Sequence, residues 1–280
     1  MGMEWFRLWV KQAGVVLGVT ALLAGGSAAQ ALSFAVNEGV TYRVSNAEIA
    51  ARYAGMAADL SKLLQQPVTI EPVSDYKSLR QGLAEKRWEL ALVHPAHVSI
   101  QAMRNSGYRL VAVTKGFTDY KAGFMVRADA PWTQLTDLRG QHLGAPDEDS
   151  ITSVMLRATL RDLKMSAPQV RITYTRYQDA VPFFVENYLT HAGVTASSAV
   201  LKAWQAKGGK ILGYTRPVPI KHVIASPSLS AEQFEKVQSY LTALDASEEG
   251  RKKLEPTKWK GFARFEQAEM MKLGEWLDVR

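Results

Sequence analysis

The feature that most constrains this chain is a repeated alternation of two periodicities. Short β-rich runs at 33–36, 68–72, 90–93, 110–114, 123–126, 142–145, 170–174, 210–214 and 222–225 are separated by stretches with helical spacing. Ile49, Tyr53, Met56, Leu60 and Leu63 recur every three to four residues, which makes 46–65 an amphipathic helix. The stretches 77–87, 96–105, 151–163, 178–189, 197–206 and 231–245 read the same way. A strand that returns through a helix to a parallel neighbour is a βαβ unit, so the pattern predicts an α/β fold.

Two segments break this rhythm. Residues 114–120 leave one strand and enter the next with no helix between, and 214–220 do so again, with Pro217 and Pro219 fixing φ and discouraging helix. A chain that crosses twice builds one lobe from its two ends, 32–115 and 222–280, and the other from its middle, 116–221. The cleft between such lobes is the expected binding site, because α/β sheets take ligands at the carboxyl ends of their strands.

The first 31 residues speak to compartment. Arg7 and Lys11 precede an apolar run from Ala13 to Ala24 and the small-residue sequence Ala29-Gln30-Ala31. That is the layout of a secretory signal peptide, whereas a spanning helix needs about 20 apolar residues. The mature chain is expected to begin at Leu32 and to be free in the periplasm, because the sequence holds no cysteine for lipid attachment or a disulfide. The net charge of +7 falls by one when Glu4, Arg7 and Lys11 leave with the signal. A mild positive field suits an anionic ligand, and the absence of a basic stripe argues against nucleic acid. No G-x-S-x-G, H-E-x-x-H, Walker or G-x-G-x-x-G sequence occurs, so neither catalysis nor a cofactor is expected, and a monomer is.

The densest local chemistry is Gly144-Ala145-Pro146-Asp147-Glu148-Asp149-Ser150-Ile151-Thr152-Ser153. A strand ends, a polar loop follows, and hydroxyl residues occupy the first turn of the next helix. Free N–H groups at a helix start, with hydroxyl donors beside them, form an anion cradle. Ordinary capping by Asp149 or Ser150 explains the same residues. His94-Pro95-Ala96-His97 offers a second cluster, with Pro95 at a first helical position, His94 as the cap and His97 three residues on. Cleft hydrogen bonding, structural capping and a metal pair all fit that spacing, though no third metal ligand stands near in sequence. Phe183, Phe184 and Tyr188 at helical spacing read as core or lobe packing.

Taken together these segments resemble the substrate-binding proteins of phosphate, phosphite and phosphonate ABC transporters. Asp147-x-x-Ser150-x-Thr152 is similar to that family's Asp-Pro-x-Ser-Thr-Ser-Gly signature, Asp75-Tyr76 to its Asp-Tyr, and Tyr120 to its strand-leading tyrosine. Leu135-x-Asp137-Leu138-Arg139-Gly140 and Pro217-Val218-Pro219 resemble its Leu-x-Asp-Leu-Lys-Gly and its Pro-Ile-Pro crossover. The resemblance implies a type II periplasmic binding protein, two α/β lobes joined by two crossover hinges, that captures a small anionic ligand for a transporter permease. It implies Tyr76, Tyr120, Ser150 and Thr152 as hydroxyl donors to a tetrahedral oxyanion, with Tyr177 where the family has a histidine and Arg176 as a neighbouring guanidinium.

The departures bear on the ligand. Where aminophosphonate binders place acidic groups, this chain has Ser198 and Lys221, which turns the preferred ligand charge away from an amine. Ile151 and Ser153 replace a threonine and a glycine of the signature, and His94 and His97 stand where the family has Gly-Pro and an aromatic. Related two-lobed proteins carry sulfonates or organic carboxylates, or report ligand to a membrane sensor, and fold alone does not choose among these.

Overall fold

A computed structural model describes residues 31–39, 45–165 and 168–279. The signal-peptide reading therefore lies, but for Ala31, outside the described residues.

Two mixed sheets form, each covered by helices. The first contains β1 (Leu32–Val36), β2 (Val68–Pro72), β3 (Leu90–Val93), β4 (Arg109–Thr114), β10 (His222–Ala225) and β11 (Phe262–Ala263), in the order β11-β4-β10-β3-β1-β2. The second contains β5 (Gly123–Val126), β6 (His142–Ala145), β7 (Arg171–Tyr174), β8 (Ala192–Thr195) and β9 (Lys210–Tyr214), in the order β7-β6-β8-β5-β9. Pairing is parallel along β2-β1-β3 and along β7-β6-β8, the βαβ parts of each sheet. It is antiparallel where β10 meets β3 and β4 and where β5 meets β8 and β9, because those strands enter from the opposite lobe without a crossover helix.

The helices follow the apolar periodicity. They are α1 (Asn46–Leu64), α2 (Tyr76–Ala84), α3 (Ala96–Ser106), α4 (Ile151–Asp162), α5 (Val181–Glu186), α6 (Ser198–Ala206), α7 (Ala231–Ala243), α8 (Glu248–Leu254) and α9 (Gln267–Trp276). The start of α1 is a capping box, in which the Ser45 hydroxyl accepts from the Glu48 N–H and the Glu48 side chain returns to Ser45.

The helix expected over 178–189 is shorter than its periodicity implied. A single helical turn, Gln178–Ala180, leads into the six residues of α5, and Tyr188 takes φ +56° while the Asn187 amide bonds back to the Phe183 carbonyl. A left-handed residue ends a helix. So short a helix buries only Val181 and Val185, and the core role expected for Phe183 and Tyr188 is corrected: they are 57% and 68% exposed. Strand β8 stands outside the sequence pattern: Ala192-Gly193-Val194-Thr195 is only four residues, with a glycine in its interior that weakens the strand signal. Its glycine is dictated by packing, since a Cβ at Gly193 would lie 2.7 Å from Val181 and 2.8 Å from Val185.

The two crossovers run side by side. Tyr120 and Val218 form an antiparallel bridge, with the Val218 N–H on the Tyr120 carbonyl (2.9 Å), Ile220 N–H on Phe117 (3.1 Å) and Thr215 N–H on Ala122 (2.9 Å). Each lobe has its own apolar interior, but one cluster spans both: Ile151, Val154 and Met155 of α4 pack with Val93, Val98 and Ile100 of the first lobe and with Val218 and Ile220 of the crossover. At about 1.5–3 kcal/mol for each side chain fully buried, this face of α4 is a substantial tie between the lobes.

Candidate functional site

Each parallel strand of the second lobe ends at the side that receives a crossover, so the loops after β7 and β8 and the end of β9 converge with residues 116–121. Between them lies a cavity of about 1060 Å³. Its walls are Phe117, Tyr120 and Lys121 from the crossover, Tyr177, Gln178 and Asp179 after β7, Ser197, Ser198 and Lys202 at the start of α6, and Tyr214 at the end of β9.

Cations stand over three of these rings. Lys121 Nζ lies 5.3 Å from the Tyr214 centroid, the Arg176 guanidinium 5.3 Å from Tyr177, and Lys221 Nζ 4.2 Å from Phe117 and 5.3 Å from Trp259. Burial lowers the Lys221 pKa, and the Glu38 carboxylate opposes that shift. Lys121 has a carboxylate within reach, Asp119 at 3.4 Å. Among the described residues neither Arg176 nor Lys221 has one within 4.0 Å: Arg176 is exposed beside Tyr177, and Lys221 is held against the rings of Phe117 and Trp259 with Glu38 as its acidic neighbour.

One side chain ties three walls together. Gln178 Oε1 accepts from the Ala196 N–H (2.6 Å) and the Thr195 hydroxyl (3.0 Å), and its Nε2 donates to the Tyr120 hydroxyl (3.1 Å). The Tyr120 hydroxyl also meets Thr152 Oγ1 at 3.3 Å. Nothing in the sequence marks Gln178, because its partners are distant in the chain and its neighbours Arg176 and Tyr177 carry the more conspicuous chemistry.

Of the residues expected to bind, Tyr120 and Tyr177 line this cavity, and Arg176 flanks it by stacking on Tyr177. Ser150 and Thr152 are buried behind the wall. The Ser150 hydroxyl caps α4 by accepting from the Ser153 N–H (3.2 Å), and Ser153 Oγ donates to the Pro146 carbonyl (2.9 Å), so both hydroxyls serve the helix start itself. Tyr76 opens α2, is partly buried against the shared apolar cluster, and is not on the cavity wall. Lys221 stands behind Phe117.

The two histidines part company. Pro95, not His94, holds the cap position of α3. His94 Nδ1 bonds to the Ile220 carbonyl at 3.2 Å, and burial, with Lys221 nearby, pushes its pKa down to about 3. His97, 7% exposed, faces Arg80 and Asp149 in a separate interlobe pocket of about 320 Å³. His97 Nε2 lies 3.3 Å from Arg80 NH2 and 3.8 Å from Asp149 Oδ1, and burial lowers the imidazole pKa while Asp149 opposes that shift. Among the described residues no group of three or more His, Cys, Asp or Glu side chains is placed to hold a metal ion.

Asp149 is the residue whose role changes most. In sequence it was a capping candidate, but its carboxylate forms a two-point bridge to Arg80 of α2, at 2.5 and 2.7 Å, across the lobes. His97 and Arg80 together hold its carboxyl well below the usual range. A second tie is the Trp276 N–H on Asp162 Oδ2 (2.9 Å), with Arg216 at 3.2 Å from the same carboxylate. Because Arg80 and Asp149 are 31% and 48% exposed, Arg80→Gln is expected to cost no more than about 1 kcal/mol of stability. It is expected to shift the ligand-free lobes apart, read as a larger radius in small-angle scattering. An unchanged radius would show that the bridge does not set lobe separation.

Similarity to known proteins follows the same lines. The sequence-family profile described as ABC transporter, phosphonate, periplasmic substrate-binding protein matches residues 39–270. Among solved structures, PhnD1 from Prochlorococcus marinus in complex with methylphosphonate superposes with a TM-score of 0.64 at 16% identity, over 88% of this chain and 96% of that one. A Xanthomonas citri protein bound to ATP gives 0.72 at 13% identity, over 89% and 97%. The periplasmic aliphatic sulphonate binding protein of Escherichia coli gives 0.57 at 13%, over 89% and 86%. No curated protein matches the sequence. Two α/β lobes, paired crossovers and a cavity at the carboxyl ends of the strands accord with a profile that covers most of the chain, and the chain belongs to the periplasmic substrate-binding proteins of phosphonate ABC transporters.

Proposed function

We propose that the protein takes up its oxyanion in the cavity bounded by Tyr120, Tyr177, Ser198 and Tyr214 and presents it to a transporter permease, residues 32–115 with 222–280 closing on 116–221 about the paired crossovers. The observation that carries this reading is the ring of cations on aromatic faces, Lys121 on Tyr214, Arg176 on Tyr177 and Lys221 on Phe117. Guanidinium and ammonium groups held at fixed positions by ring faces attract an anion without reorganising when it arrives. The neighbours bound to methylphosphonate and to ATP both present a tetrahedral phosphorus oxyanion, which supports the same head group here. Ser198 stands where an amine-binding relative would place a carboxylate, which leaves Asp119 and Asp179 as the carboxylates on the cavity wall, the first of them paired with Lys121 at 3.4 Å.

The test is calorimetric titration with methylphosphonate, 2-aminoethylphosphonate and methanesulfonate. Methylphosphonate is expected to bind more tightly than the amine-bearing ligand. Removing two charges at the rim with Lys121→Met and Arg176→Met is expected to weaken it about 5- to 30-fold, the effect of two charges at partly screened range. Tighter binding of methanesulfonate would move the ligand class to sulfonates, and an affinity indifferent to both substitutions would place the site elsewhere.

A further inference from the structure

The cavity is far larger than a bare oxyanion requires. A one-carbon phosphonate has about five heavy atoms and fills on the order of 100 Å³, judged against the ~30 Å³ that a water occupies in the liquid. The cavity here is about 1060 Å³, at the upper end of what drug-sized ligands fill. Its surplus is not simply polar: Phe117, Tyr120, Tyr177 and Tyr214 all contribute to the wall.

Tyr214 is the most informative of these. It is 45% exposed, and the fold holds it there. Gly123 pairs with it across β5 and β9, and a Cβ at Gly123 would stand 3.1 Å from the Tyr214 ring and 2.9 Å from Leu201. The glycine therefore lets the ring and the first turn of α6 close over the end of β5. Gln205, Ser198 and Lys202 line the same side and offer hydrogen bonds that a methyl group would leave unused.

We infer that the ligand is a phosphonate or phosphate that carries a flat aromatic substituent, with the oxyanion drawn to the cations about Lys121, Arg176 and Lys221 and the flat group laid against the aromatic wall. Exposed rings gain by stacking on such a group and lose little in rotamer freedom, while a small alkyl phosphonate leaves them in water. This inference rests on the proposed capture of a phosphorus oxyanion in the same cavity, and it names the substituent.

Phenylphosphonate and methylphosphonate share a head group and separate the two ideas when titrated against the purified protein. Phenylphosphonate is expected to bind at least about tenfold more tightly. Tyr214→Ala is expected to bring the two affinities towards equality, and saturation transfer from protein to the phenyl protons of the bound ligand is expected in the native protein. Equal or tighter binding of methylphosphonate by the native protein would overturn the aromatic substituent and leave oxyanion capture standing. Binding of neither would overturn both, and a phenylphosphonate advantage that survives Tyr214→Ala undiminished would remove Tyr214 from the stacking surface.

Discussion

Lowering the pH from 7 to 5 is expected to cost the folded protein about 3–4 kcal/mol of stability. His222 is fully buried, with its Nδ1 on the Ser99 hydroxyl at 2.5 Å and its Nε2–H on the Pro219 carbonyl at 3.0 Å, and burial pushes its pKa down to about 4. His94, partly buried between Gly39 and the second crossover, is pushed down to about 3. In the unfolded chain both return to about 6.5. Unfolding then takes up protons that the folded state refuses, so the contribution of these histidines is complete above about pH 6.5 and is lost as pH falls from there towards their folded values. At pH 5 a buried histidine is about 1.5 pH units below its unfolded pKa, or roughly 2 kcal/mol, and His94 adds somewhat less because solvent reaches part of its ring. His97 shifts in the same direction by burial. Against a total stability of about 5–15 kcal/mol this is a large fraction. Urea denaturation at the two pH values measures it, and His222→Asn is expected to flatten the dependence. A midpoint that does not move between pH 7 and pH 5 would refute the account.

Gln178→Ala is expected to be the most damaging single change on the cavity wall. It leaves the Ala196 N–H, the Thr195 hydroxyl and the Tyr120 hydroxyl without the partner that joins them. Unmaking hydrogen bonds at partly buried groups costs about 1–3 kcal/mol where no water replaces the partner, and the total here is expected at about 2–4 kcal/mol. Binding falls with it, because the same amide fixes Tyr120 in the crossover against the start of α6. Gln178→Glu keeps the acceptor for Ala196 and Thr195 and leaves the Tyr120 hydroxyl to donate, and is expected to retain most of the stability. Denaturation and titration with methylphosphonate read the two effects separately. A stability change below about 0.5 kcal/mol for Gln178→Ala would make the residue an ordinary surface amide.

Much of the fold was legible in the chain. The strand and helix periods located nine of the strands and the main helices, since side-chain alternation and amphipathic spacing are set within a few residues. Pro217 and Pro219 marked the second crossover, because a residue without an N–H and with fixed φ leaves its signature wherever it stands. Capping of α4 by Ser150 was one of the two readings of that helix start. Of the two strands missing from that pattern, β11 is only two residues long, and β8 is four residues with a glycine inside it, Gly193, which makes sense only beside Val181 and Val185.

The site was less legible, for a physical reason. Sequence determined which hydroxyls, rings and charges this protein possesses and the local structure that holds each of them. It did not determine which would meet, because that depends on how two sheets and two crossovers pack over long separations. Asp149 looked like a helix cap and finds Arg80, 69 residues away in the other lobe. Lys221 gives no sign in the sequence of the rings that it meets, those of Phe117 and Trp259. Gln178 looked like nothing in particular and joins Tyr120 to Thr195 and Ala196. Period, capping and proline are written in neighbours along the chain, whereas the cavity is assembled from residues whose nearness is decided only when the apolar faces of the lobes have found each other.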